Sequence, residues 1–415
     1  MLGVTRRRLI PLLLGAGSLL SSVGCDERPA AAGADASAGQ WYHAHLATDD
    51  GVAIPFFLQV PGDCESGVAT ILNGAERLEA ECRRSPVGFV IDFPVYATQL
   101  EAWFKPDGTL TGHWCRELPT GRDPILLLKA EPVSEPDRST RFSIASEEAD
   151  TDVGGAWRVE FGQTDFAKAA FVWEESGVVT GSVEVPSSYG DLRFLAGNAR
   201  GSHLRLSTFD GQHAYVFEGE VEPDGTMVGE WVTHLTRIPF VAARDEDFQI
   251  PDPLARVEFT PDVKRLDLEP LQDAKFDGKG VIVEIFGTWC PNCNDHAPVL
   301  VDLYQKYQPH GLEILGLAYE YGFDAEYKER RVREFKKRHG AEWDIVIADS
   351  TLEELAMEGL DGLSPIEGVP VTIFLNRDGT VHAVYSGFSG PATGEAHQQA
   401  EALFEKLTVE ILNGL

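Results

Sequence analysis

The chain has 415 residues, 43% of them apolar, which is enough for two or three domains with cores of their own. Its formal net charge of −31 repels nucleic acid and anionic lipid headgroups, which excludes both as main partners and favours solubility.

The N-terminus reads as an address. In "MLGVTRRRLIPLLLGAGSLLSSVGC" a basic stretch, Arg6 to Arg8, precedes an apolar run from Leu9 to Leu20. The run is too short to span a bilayer comfortably, so it reads as an export signal and not a membrane helix. Thr5-Arg6-Arg7-Arg8-Leu9-Ile10 resembles a twin-arginine signal, although three arginines also suit the general export route. Val23-Gly24-Cys25 resembles a lipoprotein cleavage box, with Ser22 departing from the usual Leu. The expectation is a signal over 1–25 with a lipid on Cys25; ordinary cleavage leaving a free cysteine is the alternative. The Ala/Gly-rich residues 26–40 read as a flexible tether. The chain is thus expected at the periplasmic face of the cell envelope, anchored in the membrane by lipid, or else exported and soluble.

Residues 41 to about 245 alternate short apolar strands with turn signals. "FKPDGTLTGHW" (104–114) and "VEPDGTMVGEW" (221–231) are near copies, each with Asp-Gly between alternating strands. Trp41 and Trp157 open the two halves, and "SGVATILNG" (66–74) echoes "SGVVTGSVEV" (176–185). A duplicated all-β region, sandwich- or barrel-like, follows from this: β units over 41–135 and 153–250, with a polar, Pro-bearing linker over 136–152. His43 and His45 share one strand face, while His113, His203, His213 and His234 are scattered. Such histidines more often face solvent or are satisfied within a sheet than bind metal, and no metal site is expected. Asp210-Gly211 is read as a hairpin turn with Tyr215 and Phe217 facing the core.

Export places the six cysteines in an oxidising or redox-managed compartment. With Cys25 set aside for the anchor and Cys290 and Cys293 as a pair, Cys64, Cys82 and Cys115 remain. One disulfide and one buried thiol are expected, with Cys64–Cys82 the nearest pair in sequence.

After a linker over 251–269 the pattern changes. In residues 270–415 "VIVEIFG" (281–287) is a continuous apolar run, as expected of a strand buried on both faces. Gly287-Thr288-Trp289 turns the chain and a helix follows from Cys290. Further strands are read at 312–320 and 343–349, and helices at 325–339, after Ser350 as cap, and at 394–412. A hairpin over 368–387 turns at Asp378-Gly379. Strands alternating with helices describe an α/β domain. A strand leading into Cys290-Pro291-Asn292-Cys293 at a helix start is the context of a redox dithiol. The unpaired N–H groups and positive dipole end of the helix stabilise a thiolate, and the two-residue spacing lets both sulfurs meet across one turn.

"VIVEIFGTWCPNCNDHAPVL" closely resembles the active-site strand, turn and helix of the thioredoxin superfamily, and "GVPVTIFLNRDGTV" resembles its cis-proline strand and hairpin. Over about residues 270–413 the likeness is greatest to the TlpA-like thiol–disulfide oxidoreductases. The resemblance implies a thioredoxin-like fold, with Cys290 as nucleophile and Cys293 as resolving cysteine. It implies Glu284 as a buried acid that helps move the resolving thiol's proton and Trp289 as a shield of the site. Pro298 matches a helix-kinking proline, and Pro370 the cis-proline whose strand presents backbone to substrate. Val371 departs from the usual Thr, and His296 from an acidic residue; that imidazole either tunes the cysteine or is a partly exposed helix histidine.

The expected function is that of an exported thiol–disulfide oxidoreductase that reduces substrate disulfides through Cys290 and Cys293, with no bound cofactor. Its partners are a disulfide-containing protein or small thiol substrate, and a membrane or envelope dithiol as electron donor. The rivals are a binding protein built on the β region with an accessory redox tail, and a thiol peroxidase of the same fold. A zinc site lacks a second ligand pair. A peroxidase would set Thr three residues before its cysteine, where Gly287 stands.

Overall fold

The structure, a computed structural model, describes residues 39–414 except 63, 65, 66, 119, 120, 147–149, 163, 164, 258–264, 323, 361 and 362. The signal, the tether up to residue 38 and Cys25 lie outside the described residues.

Eight antiparallel strands close the first barrel: β1 (Gln40–Ala47), β2 (Ala53–Val60), β3 (Gly67–Asn73), β4 (Glu76–Ser85), β5 (Gly88–Phe93), β6 (Thr98–Phe104), β7 (Leu110–Leu118) and β8 (Gly121–Val133). Alternation sets the inside: in β1, Tyr42, Ala44 and Leu46 are buried while His43 and His45 lie between them on the other face, half-buried. The ring of His43 bonds the Arg141 carbonyl at 3.1 Å, so it is satisfied within the protein. Cys64 and Cys82 form a disulfide, and Cys115 is a buried free thiol whose pKa burial pushes up to about 11.

The second barrel comprises β9 (Gly155–Phe161), β10 (Asp165–Trp173), β11 (Val178–Val185), β12 (Gly190–Asp191), β13 (Leu195–Arg200), β14 (His203–Phe209), β15 (Ala214–Val221), β16 (Met227–Thr233) and β17 (Arg237–Arg244). Pairing of β10 with β11 closes it, and β12 hangs on the end of β11. Closure removes the unpaired edges of an open sheet. The two barrels differ most at one hairpin. Between β3 and β4 the first barrel turns tightly at Gly74, whereas between β11 and β13 the second inserts residues 186–194.

The barrels pack side by side. Phe209 of β14 lies 4.9 Å from Phe56 of β2, and Trp114 Nε1 donates to the Gly211 carbonyl at 3.1 Å. Tyr215 and Phe217 are buried, as the hairpin at Asp210-Gly211 requires.

The C-terminal region is a five-stranded sheet in the order β20 (Asp344–Ile347), β19 (Leu312–Ala318), β18 (Gly280–Phe286), β21 (Val371–Leu375), β22 (Val381–Ser386). The first three run parallel, and the last two run antiparallel to their neighbours. Helices α1 (Pro291–Tyr307), α2 (Ala325–His339), α3 (Leu352–Glu358) and α4 (Glu395–Asn413) cover it. All seven residues of β18 are buried. Val281, Val283 and Ile285 pack with residues of α2 and α3, while Ile282 on the other face packs with α1 and α4. The cap of α3 is Thr351 and not Ser350: Thr351 and Glu354 make a reciprocal capping box, which Ser350 stands one residue too early to form.

Candidate active site

Every group of the site is positioned by the end of an element. Strand β18 delivers the chain to the turn Gly287–Trp289. The buried carboxylate of Glu320 holds that turn, accepting from the Thr288 amide at 2.7 Å and its hydroxyl at 2.8 Å. Asn294 clasps it from the helix side, donating to the carbonyls of Thr288 and Cys290, both at 2.9 Å. Trp289 donates its indole N–H to the Tyr319 carbonyl at 2.9 Å and lies 4.6 Å from the Tyr321 ring.

Cys290 is the N-cap of α1, with extended backbone, and Pro291 occupies the first helical position, where a missing N–H costs nothing. The Cys290 sulfur accepts the Cys293 amide N–H at 3.3 Å and lies 3.6 Å from the Val369 carbonyl. That carbonyl belongs to the cis Val369–Pro370 bond that leads into β21. Cys290 keeps 5% of its surface exposed and Cys293 none. Burial, the adjoining Cys290 sulfur and the Glu284 carboxylate hold the Cys293 thiol well above the ordinary range. Cys290, Cys293, Pro370, Trp289 and Glu284 are therefore one constellation.

Glu284 lies on the α1–α4 side of β18, fully buried, with its Oε1 3.4 Å from His296 Nδ1. His296 is not the half-exposed helix residue that one reading of the sequence allowed. It is fully buried, its ring 4.7 Å from that of Phe388 and 4.9 Å from that of Phe404. Its position three residues after Cys293 turns it inward beneath the dithiol.

The sequence reading assigned nothing at this site to the barrels, yet both reach it. Val95, from the loop after β5, and Tyr189, from the inserted hairpin of the second barrel, share the buried cluster that holds Cys290 and Cys293. Arg193, on the same insertion, pairs with Glu76 at 2.7 Å, with Asp210 at 3.2 Å and with Asp295 of α1. Several carboxylates thus share one guanidinium. Burial raises Asp295 to about 7 despite the opposing pull of Arg193, with neighbouring Asp191, Glu76 and Asp210 adding to the rise.

A family model described as the AhpC/TSA family matches residues 256–387. The thiol-disulfide oxidoreductase ResA of Halalkalibacterium halodurans is 30% identical over 145 residues, covering 35% of this chain and 72% of that protein. The chain belongs to the ResA-like thiol–disulfide oxidoreductases of the thioredoxin superfamily. The ResA of Bacillus cereus is 27% identical over 145 residues, covering 35% of this chain and 70% of that one. Among solved structures, a thiol:disulfide interchange protein of the thioredoxin family from Chlorobium tepidum is 23% identical (34% of this chain, 83% of that one, TM-score 0.26). A secreted Mycobacterium tuberculosis disulfide oxidoreductase homologous to E. coli DsbE is 19% identical (31% and 85%, TM-score 0.22). Membership of the ResA-like family makes the chain an oxidoreductase whose substrates contain disulfides. The family model begins at residue 256, beyond both barrels.

Proposed function

We propose that the chain is an exported disulfide reductase, held at the membrane by a lipid on Cys25, in which Cys290 attacks and Cys293 resolves. The Cys290 thiolate attacks one sulfur of the substrate disulfide. A Cys290–substrate mixed disulfide forms and the first substrate thiolate leaves. Cys293 then gives its proton to Glu284 and attacks the Cys290 sulfur, which expels the second substrate thiolate and leaves Cys290–Cys293 oxidised. Each turnover takes two electrons from the dithiol, which a partner dithiol in the membrane or envelope restores.

The observation that carries this reading is the asymmetry of the pair. Cys290 sits at the helix N-terminus with an amide N–H on its sulfur, while Cys293 is fully buried with its thiol held protonated. The burial of Glu284 near Cys293 supports it as the acceptor of that proton. Trp289 and the Val369–Pro370 carbonyl border the attacking sulfur and orient what approaches it. Trapping tests the order. Cys293→Ser should accumulate mixed disulfides on Cys290, and Cys290→Ser almost none. Equal trapping by both would end the scheme, and adducts in Cys290→Ser alone would reverse it. The direction of electron flow is read separately, from the reduction potential of the Cys290–Cys293 couple: a value as low as thioredoxin's supports a reductase, and a value near that of a strong oxidant overturns it.

A further inference from the structure

The insertion of residues 186–194 is the feature the duplicated architecture does not explain. The first barrel closes with a tight turn at the corresponding hairpin, so the insertion is not needed to close a barrel. Its path is set by contacts with the redox domain. Tyr189 adopts a left-handed backbone (φ +57°), unusual for an aromatic residue. Its hydroxyl accepts the Glu367 amide at 3.1 Å and its carbonyl accepts the Phe388 amide at 3.1 Å. The ring covers Gly368, where a Cβ would lie 2.4 Å from it, and Gly190 approaches Asn292 so closely that a Cβ would lie 1.9 Å from the amide nitrogen. Asp191 accepts the Gly390 amide at 2.8 Å. Glu367 and Gly368 lead into the cis-proline; Phe388 and Gly390 follow β22; Asn292 lies between the two cysteines. The insertion thus occupies backbone before the cis-proline and after β22, and lies against the Asn292 side chain between the two cysteines.

These are the groups a polypeptide needs. An extended chain carrying a disulfide would dock by pairing its backbone with exposed N–H and C=O groups beside the thiol. The amides of Glu367 and Phe388 are already taken by Tyr189, and the Pro370 carbonyl by the Gly387 amide at 2.8 Å. Exchange itself asks for less. The attacking sulfur must lie in line with the S–S bond, which requires access to the Cys290 sulfur alone.

Resting on the disulfide-exchange reading above, we infer that Tyr189 is a specificity-determining residue: it excludes polypeptide disulfides and leaves the dithiol to small-molecule disulfides. Tyr189 does this by occupying docking backbone, not by acting on the thiols.

The test uses the full chain, pre-reduced, in single turnover, so that no electron donor is needed. The probes are bis(2-hydroxyethyl) disulfide and insulin, and dithiothreitol with the same two disulfides corrects for their intrinsic reactivity. The wild type should favour the small disulfide over insulin by about a hundredfold beyond dithiothreitol's own ratio, and Tyr189→Ala should narrow that gap by about tenfold or more. A wild-type ratio equal to that of dithiothreitol, or an unchanged ratio in a folded Tyr189→Ala, overturns the inference. A second measurement on the wild type does not depend on the variant folding. Iodoacetamide and a polyethylene-glycol maleimide compete for Cys290, read by peptide mass against the unfolded chain. Selective protection from the large reagent supports the cover, and equal reactivity with both overturns it. A reduced wild type that reacts with neither disulfide would remove the disulfide-exchange reading, while the alkylation comparison would still decide whether the surroundings of Cys290 keep large molecules away.

Discussion

Glu284 Oε1 lies 3.4 Å from His296 Nδ1, and both side chains are completely buried. Neither oxygen of Glu284 nor either ring nitrogen of His296 makes a hydrogen bond to another described residue, so the two groups answer each other's burial. Glu284→Gln removes the proposed acceptor for the Cys293 proton. It should slow resolution by about 10²–10⁴-fold and leave the first attack by Cys290 within about twofold. His296→Phe, which suits the adjoining rings of Phe388 and Phe404, should slow resolution less, because the carboxylate remains. Stopped-flow tryptophan fluorescence, following Trp289 beside the dithiol, separates the two steps. Equal slowing of both steps by Glu284→Gln would remove Glu284 from the proton path.

The cluster around Arg193 makes a pH prediction. Asp295 has a folded-state pKa of about 7, raised by burial from the ordinary carboxyl value of 3.8. Its contribution is therefore fully present below the unfolded value and is lost as pH rises through the folded one. Between pH 4 and pH 7 the folded chain binds the extra proton, so this group makes stability fall with rising pH, by at most ~1.4 kcal/mol per unit for one proton. Asp295→Asn should flatten that slope. Urea midpoints taken at half-unit steps would show it; a slope unchanged by the substitution would place the titration elsewhere in the cluster.

The redox constellation was legible because its constraints are local. Two cysteines at one helix start, a buried strand before them and a proline before a second strand are each set by a few adjacent residues. Closure of the barrels was less so, since strand alternation reads alike in a sandwich and a barrel, and the pairing of β1 with β8 is a long-range choice. The burial of His296 was open in the sequence, because its helix face depends on Phe388 and Phe404, about a hundred residues onward. Tyr189 went unassigned, although the clue was present: the hairpins that follow "SGVATILNG" and "SGVVTGSVEV" differ in length, and the added residues are the ones that dock.

Cys64 and Cys82, bridged across a sequence separation of 18, close a loop at one end of the first barrel. Chain-entropy arguments give such a loop about 3 kcal/mol of stabilisation. The Cys64→Ala, Cys82→Ala double variant should lose about that much in equilibrium urea unfolding and keep the Cys290 attack rate within about twofold. A large loss of attack rate would mean that the first barrel holds the dithiol in place.

The lipid proposed on Cys25 is tested at the N-terminus. With a lipid on Cys25, the mature chain should partition into detergent, and its N-terminal peptide should carry the mass of a diacylglyceryl-modified cysteine. A Cys25→Ser variant should be recovered in the aqueous phase. An unmodified mature N-terminus would leave export without an anchor.

The redox domain should fold without the barrels. The cluster between β18 and helices α1 and α4, with Ile282, Leu300, Phe374 and Phe404 at its centre, contains no barrel residue among the described residues. Among the described residues the second cluster takes from the barrels Val95, Tyr189 and the edge of Tyr96. Cutting there removes the Arg193–Asp295 and Arg330–Glu117 pairs and the hydrogen bonds that Pro94, Glu184, Tyr189 and Asp191 make to the redox domain, groups that water can satisfy once exposed, while the core is retained. A fragment of residues 255–415 should therefore unfold cooperatively and keep its exchange with bis(2-hydroxyethyl) disulfide. Without Tyr189 it should also reduce insulin at least about tenfold faster than the full chain. Circular dichroism reports the folding, and single-turnover oxidation reports the two rates. An insoluble or inactive fragment would mean that the barrels complete the core of the redox domain; a folded fragment as slow on insulin as the whole protein would mean that its selectivity lies within the redox domain itself.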